Sequence, residues 1–332
     1  MLLAVLVGCT PDPVVPPPPG DDDDTVPPVL STSPPTGTTG ATGDTAASIP
    51  TETLDCSILP EPTLVRFHEY VDSSEDFTFD TEGYLWGVST VTQALIRTPL
   101  DGVDELMKPN VSSWGRGTRI LPGSGDLVVA EPDNGAVIRI DRDTMGVTIL
   151  AGGFNQPNGI AVRDDGMLFV TQASGRVMRV DPDTGEQTLV YATPQSTDGI
   201  TFDPTFDHLY WDSEAGEVIV GELDDAGDLV ADPTVLTTIV APILDGMAAD
   251  ACGNLYVVDM TGVIHRVKPD GTDEVYVSVN SHPNGGFVCA VNFGSGFGGW
   301  ERDHLYVMSL SGGLFEVDVG IPGRWEPHLP TE

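Results

Sequence analysis

Apolar residues in this chain of 332 residues recur in short alternating runs, and the runs come in pairs. The stretch "DGMAADACGNLYVVD", Asp245 to Asp259, reads as a strand, an Asp/Gly turn and a second, apolar-aromatic strand. The same order of residue types returns in "EDFTFDTEGYLWGVS" from Glu75, "NGIAVRDDGMLFVTQ" from Asn158 and "DGITFDPTFDHLYWD" from Asp198. Aligned on the second strand, six anchors stand out: Leu85, Leu127, Leu168, Leu209, Leu255 and Leu305. They are spaced by 42, 41, 41, 46 and 50 residues, near the period of a four-stranded propeller blade.

Third strands follow, as in "VIRID" and "VMRVD", and then turns such as "DPDTGE" and "KPDGTD", whose Asp/Gly pairs supply positive φ. A sustained 3.6-residue apolar period is absent, so no helix is expected. The pattern predicts an all-β, six-bladed β-propeller with four antiparallel strands per blade over residues 56–322, followed by a tail over 323–332. Radial closure of this kind leaves only short, protected sheet edges. "TLVRFHEYV", Thr63 to Val71, alternates as a strand and is expected to complete the last blade and latch the ring.

The N-terminal part has a different character. Residues 10–55 are rich in Pro, Gly, Thr, Ser and Asp, with too little apolar surface to offset chain entropy, and are predicted to be a disordered, partly stiff linker. Ahead of it, "MLLAVLVGC" is far shorter than the roughly 20 apolar residues of a membrane-spanning helix. It reads as the apolar part of an export signal over residues 1–9. Leu6-Val7-Gly8-Cys9 resembles the bacterial lipobox, which implies lipidation at Cys9 and a protein exported to the cell envelope, held there by its N-terminal anchor. Thr10 after the cysteine points to the outer membrane or the cell surface. The positively charged start expected of such a signal is missing.

The formal net charge is −37. Eight acids lie within residues 1–55, which leaves about −29 for the rest. Nucleic acid and anionic membrane surfaces are repelled by such a chain, and both are excluded as partners. The charge favours cation binding, but it is equally what an acidic, solvated surface looks like. A monomer is expected. Of the cysteines other than Cys9, Cys289 lies within a strand-like run and is expected to be buried, whereas Cys252 sits in a turn and Cys56 at the start of the domain. Cys56 and Cys252 are therefore the expected disulfide partners. Zinc spacings, an HExxH pair, a G-x-S-x-G elbow, a P-loop and a Rossmann fingerprint are all absent.

WD-repeat and kelch signatures are missing as well. "PNGIAVRDDGMLFV" and "LDGMAADACGNLYVVD" instead resemble the SMP-30/gluconolactonase/LRE family and its NHL and strictosidine-synthase-like relatives, over roughly Asp72 to Gly320. That resemblance implies a divalent cation, calcium above all, at one end of the central channel. By matching position Glu75, Asn158, Asp198 and Asp245 would hold it, with Asp245 as general base of a lactone or ester hydrolase. The family's Gly-Pro after the first glutamate is Asp76-Phe77 here, and its substrate arginine is replaced by Gln156. Arg116 and Arg119 are the candidates for binding an anionic substrate instead. His282, before "PNGGF" near the sixth-blade entrance, reads as a solvated loop histidine, with reach into the channel as the alternative.

Two readings remain open on the sequence. One is a cation-dependent hydrolase acting on a small molecule. The other is a non-catalytic propeller that binds a glycan, peptide or protein at its channel mouth; folds of this kind host both. Asp-Gly and Asn-Gly before a strand are also ordinary turn residues, so the heads of the repeats need not form a site.

Overall fold

The computed structural model describes residues 54–330. The expectations for residues 1–53, including the signal, Cys9 and most of the linker, lie outside the described residues. Six four-stranded antiparallel sheets are arranged as the blades of a propeller, and among the described residues every regular element is a strand. The innermost strands are Ser74–Phe79, Thr118–Ile120, Pro157–Val162, Ile200–Phe202, Leu244–Ala249 and Val288–Phe293. Each neighbours the innermost strand of the next blade, and the last neighbours the first, which closes the ring.

Closure is made by the N-terminal strand Thr63–His68, which pairs antiparallel with Leu314–Asp318 and supplies the outer edge of the sixth blade. Close by, Cys56 and Cys252 form a disulfide with their Cα atoms 5.5 Å apart, and Cys289 is a buried free thiol. At the same closure the buried carboxylate of Glu316 accepts from Arg66 Nε at 2.8 Å and lies 2.9 Å from His68 Nε2 and 2.7 Å from His304 Nδ1.

The core is distributed rather than central. The second strands of the blades, such as Leu127–Glu131, Leu168–Gln172 and Leu255–Asp259, are buried at every position, so both faces of each blade are covered and each gap between neighbouring blades fills with its own cluster. In the gap between the sixth and first blades, Phe77, Phe79, Trp300 and Tyr306 pack together, with the Phe79 and Trp300 ring centroids 4.9 Å apart. The first hairpin of each unit is tied locally. In the fifth blade the Asp250 carboxylate accepts from the Cys252 and Asn254 amides at 2.8 and 2.9 Å, and Gly253 takes φ +81°. Turns of this kind, unlike the Asp-Gly pairs at the repeat heads, are where glycine supplies positive φ.

Candidate functional site

Cross-strand pairing puts the six units in register. Phe77, Thr118, Ile160, Ile200, Met247 and Val291 occupy one level, opposite Gly87, Val129, Val170, Trp211, Val257 and Val307. Two residues earlier, the six blades present Glu75, Arg116, Asn158, Asp198, Asp245 and Cys289. In the first, third, fifth and sixth blades this position falls in a β-bulge or register shift, between Ser74 and Phe77, Pro157 and Ile160, Leu244 and Met247, and Val288 and Ala290. A bulge re-aims side chains and bends the strand, here at the channel mouth.

The residue after each head explains the Asp-Gly and Asn-Gly pairs. Gly117, Gly159, Gly199 and Gly246 show no positive φ, so they are not turn glycines. A Cβ on Gly117 would lie 2.5 Å from the Asn158 carbonyl oxygen, on Gly159 2.5 Å from that of Asp198, and on Gly199 2.3 Å from that of Asp245. On Gly246 it would lie 2.8 Å from the Cys289 carbonyl oxygen. Each glycine thus lets the next blade's head residue approach the axis, and the heads form an interlocked ring. The first blade departs with Asp76, which pairs with Arg119 at 2.5 Å and accepts from the Asn292 amide at 3.2 Å.

Glu75, Asn158, Asp198 and Asp245 line one cavity of about 20 Å³, together with Cys289 and Arg119. That is about the room a single water-sized sphere or ion needs. Asn158 and Asp245 are buried, and Glu75 Oε2 is buried without a hydrogen-bond partner. Burial, then the charge of Glu75, pushes Asp198 up to about 7, while Arg116 and the Asn158 amide pull it back. Burial and the neighbouring charges of Asp198, Glu75 and Asp212 lift Asp245 well above the usual carboxylate range. Burial raises Glu75 too, against the pull of Arg116. The carboxylates crowd one another, and one guanidinium does not neutralise them.

Arg116 stands in the ring as the second blade's head. Its buried Nε has no hydrogen-bond partner, and it forms no ion pair among the described residues. Arg119 is engaged by Asp76 and by the Thr118 carbonyl oxygen at 2.7 Å. His282 packs against Phe67 and Phe315 in the sixth blade, and His282 is not among the residues lining the ring cavity.

Reading the sequence passed over three participants. Cys289 shares the ring, its thiol directed to the Ser74 carbonyl oxygen at 3.3 Å. Asp76 takes the place of the ring glycine. Asp212, fully buried, accepts from the Asp198 and Gly199 amides at 3.2 Å and positions that head. Its signal was present: the other blades carry Val88, Ala130, Thr171, Val258 and Met308 at that place.

Residues 169–311 match the sequence model of one family. The chain carries an SMP-30/gluconolactonase/LRE-like region. The match holds Asp198, Asp245 and Cys289 and leaves Glu75, Arg116 and Asn158 outside. Solved propellers of similar fold include a calcium-binding regucalcin from Agrobacterium tumefaciens, with a TM-score of 0.66 and 18% identity over 81% of this chain and 98% of that one. A gluconolactonase from Xanthomonas campestris has a TM-score of 0.65 and 18% identity over 79% and 95%. A virginiamycin B lyase from Staphylococcus aureus has a TM-score of 0.54 and 17% identity over 73% and 79%. No curated protein matches the sequence. At these identities the SMP-30/gluconolactonase-like propellers share the fold with this chain.

The donor set at the mouth suits a hard divalent cation: three carboxylates and an amide, one carboxylate oxygen orphaned, around a cavity of ionic size. Among the described residues no group of three or more His, Cys, Asp or Glu side chains is drawn together closely enough to hold an ion as it stands. Closing on an ion therefore requires side-chain movement at the ring.

Proposed function

We propose that this chain is a divalent-cation-dependent hydrolase of the lactone or ester kind, acting at the axial mouth and exported to the cell envelope on a lipid anchor at Cys9. The observation that carries the reading is the convergence of Glu75, Asn158, Asp198 and Asp245, from four blades, on one small cavity where their carboxyls are held above their ordinary titration range. The similarity of fold to a gluconolactonase and to a calcium-binding regucalcin supports it.

Glu75, Asn158, Asp198 and Asp245 would hold the cation, most suitably calcium, which when bound supplies Lewis-acid polarisation of a carbonyl. Asp245, beside the cation, takes the proton of an attacking water as general base. Arg116, in the ring without an ion-pair partner, holds an anionic oxygen of the substrate. Arg119 holds Asp76 and shapes the cavity from below. The ring glycines keep the heads close, which fixes these groups relative to one another.

The test is a thermal melt of the full chain with and without calcium, followed by a panel of lactones and esters. A ligand at 100 times its Kd adds about 2.7 kcal/mol, or about 5–10 °C for a domain of this size. Asp245→Asn should weaken the calcium response and abolish turnover. The competing reading is a binding propeller, favoured by the ring itself, where two of the six heads, Arg116 and Cys289, are not oxygen donors. A calcium response with no hydrolysis of any lactone or ester would decide for it.

A further inference from the structure

Around the mouth, the loops that lead into the ring are not alike. Two residues before the six heads stand Ser73, Trp114, Gln156, Ser196, Ile243 and Phe287. The backbone joins this step to the turn between the second and third strands of each blade. In the fifth blade Met260 donates to the Ile243 carbonyl oxygen at 3.2 Å, and in the sixth Leu310 donates to that of Phe287 at 2.9 Å. The Phe287 amide in turn donates to the Met260 carbonyl oxygen at 2.9 Å, so the rim runs unbroken across both blades. The same step in the third and fourth blades joins Ala173 to Gln156 at 3.1 Å and Glu214 to Ser196 at 3.0 Å.

The two halves of the rim differ in chemistry. Ile243 is 47% exposed and Phe287 61%, with Met260 and Leu310 half-buried between and beside them. Trp114 is partly exposed as well, its indole N–H donating to the Glu75 carboxylate, which ties this side chain to the ring. Opposite, Gln156 and Glu214 are the exposed residues. Single apolar side chains on a surface are ordinary, but a connected run of them beside a site marks what the site binds. Phe287 makes the contrast sharpest. It holds φ +63°, in the left-handed region that an aromatic residue adopts only at a cost, and Gln156 holds φ +51° at the same step of the third blade. The position therefore accommodates a polar side chain, and the sixth blade carries an aromatic ring in water instead.

We infer that the rim from Ile243 to Leu310, with Trp114, binds an apolar chain of the substrate, so that the ester or lactone taken at the mouth bears an alkyl or aryl group on this side rather than hydroxyls. The inference rests on the hydrolase reading given above. With the reacting carbonyl at the ring cavity beside Asp245, the chain leaves over the fifth and sixth blades, where it covers Ile243 and Phe287. Gln156, Ser196 and Glu214 face the wetter side of the same substrate.

The experiment uses the full chain with calcium and γ-lactones whose alkyl substituent runs from methyl to heptyl. Burial of each methylene against the rim should raise kcat/KM roughly two- to fourfold until the rim is covered. Phe287→Gln, which repeats what Gln156 does at that backbone conformation, and Ile243→Ser, which repeats Ser196, should flatten the dependence on chain length. Val275→Ser, an exposed apolar position on the outer strand Asp273–Ser278, should leave it unchanged. The matching γ-lactams, which resist hydrolysis, report binding by calorimetry without turnover, and their affinity should climb along the same series. Hydrolysis with no dependence on chain length would overturn the apolar rim and leave the hydrolase standing. Lactam affinity that climbs with chain length, with no lactone hydrolysed, would uphold the rim and overturn the hydrolase. Lactams that gain nothing along the series, or gain equally in Phe287→Gln and Ile243→Ser, would overturn the assignment of the chain to this rim.

Discussion

Gly199→Ala tests whether the glycines behind the ring heads are there for interblade contact. The added Cβ would stand 2.3 Å from the Asp245 carbonyl oxygen and 2.7 Å from Asp212 Oδ2. Ordinary contact begins near 3.4 Å, so something must retreat by about 1 Å. Neither neighbour yields easily. The first is backbone of the fifth blade's innermost strand, and the second is a carboxylate held by the Asp198 and Gly199 amides. Overpacking of a well-packed interior costs roughly 1–3 kcal/mol, and opposition from backbone puts this case at the upper end. At about 2–4 °C per kcal/mol, the melting temperature should fall by roughly 6–12 °C. The same displacement separates Asp198 from Asp245, so the calcium-induced stabilisation should shrink with it. Gly286→Ala is the control, since a Cβ there meets nothing within 4 Å and the backbone needs no positive φ. A Gly199→Ala chain that melts with wild type and keeps its calcium response would falsify the interlocked ring.

Further outcomes follow from the structure and, for the anchor, from the sequence. In chelator, stability should decline as pH rises from about 4 through about 7, because folded Asp198, pushed up to about 7, keeps a proton that the unfolded chain has lost. Calcium competes with that proton, so the calcium-induced shift in melting temperature should be larger at pH 8 than at pH 5. At the closure the sign reverses: His68, His304 and Arg66 outweigh burial and hold Glu316 down at about 2, so its contribution is present above about 4.5 and lost as pH falls towards 2. Glu316→Gln should remove that acid-limb slope in urea titrations. The Cys56–Cys252 bridge closes a span of 196 residues, worth up to about 5 kcal/mol on the chain-entropy account; Cys252→Ser should lower the melting temperature by several degrees, and no change would show that the N-terminal latch holds without it. Cys9→Ser should release the protein from the membrane fraction or leave it unprocessed, and unchanged fractionation would mean the lipobox match is accidental.

Period, blade number, strand content and the N-terminal latch were legible along the chain. They depend on neighbours within a hairpin: alternation decides which face of a strand is apolar, and Asp/Gly pairs such as Asp250 with Gly253 decide where it turns. The four oxygen-bearing heads were legible through family resemblance, and the structure brings them to one cavity. The rest depended on contacts between blades some 40 residues apart. The glycines behind the heads looked like turn residues because sequence does not show that Asp245's carbonyl oxygen faces Gly199. Arg116 and Cys289 join the ring only once pairing registers align all six blades, since neither resembles its counterparts. Asp212 could have been seen as a charge in an apolar column, but its task required knowing which amides lay above it.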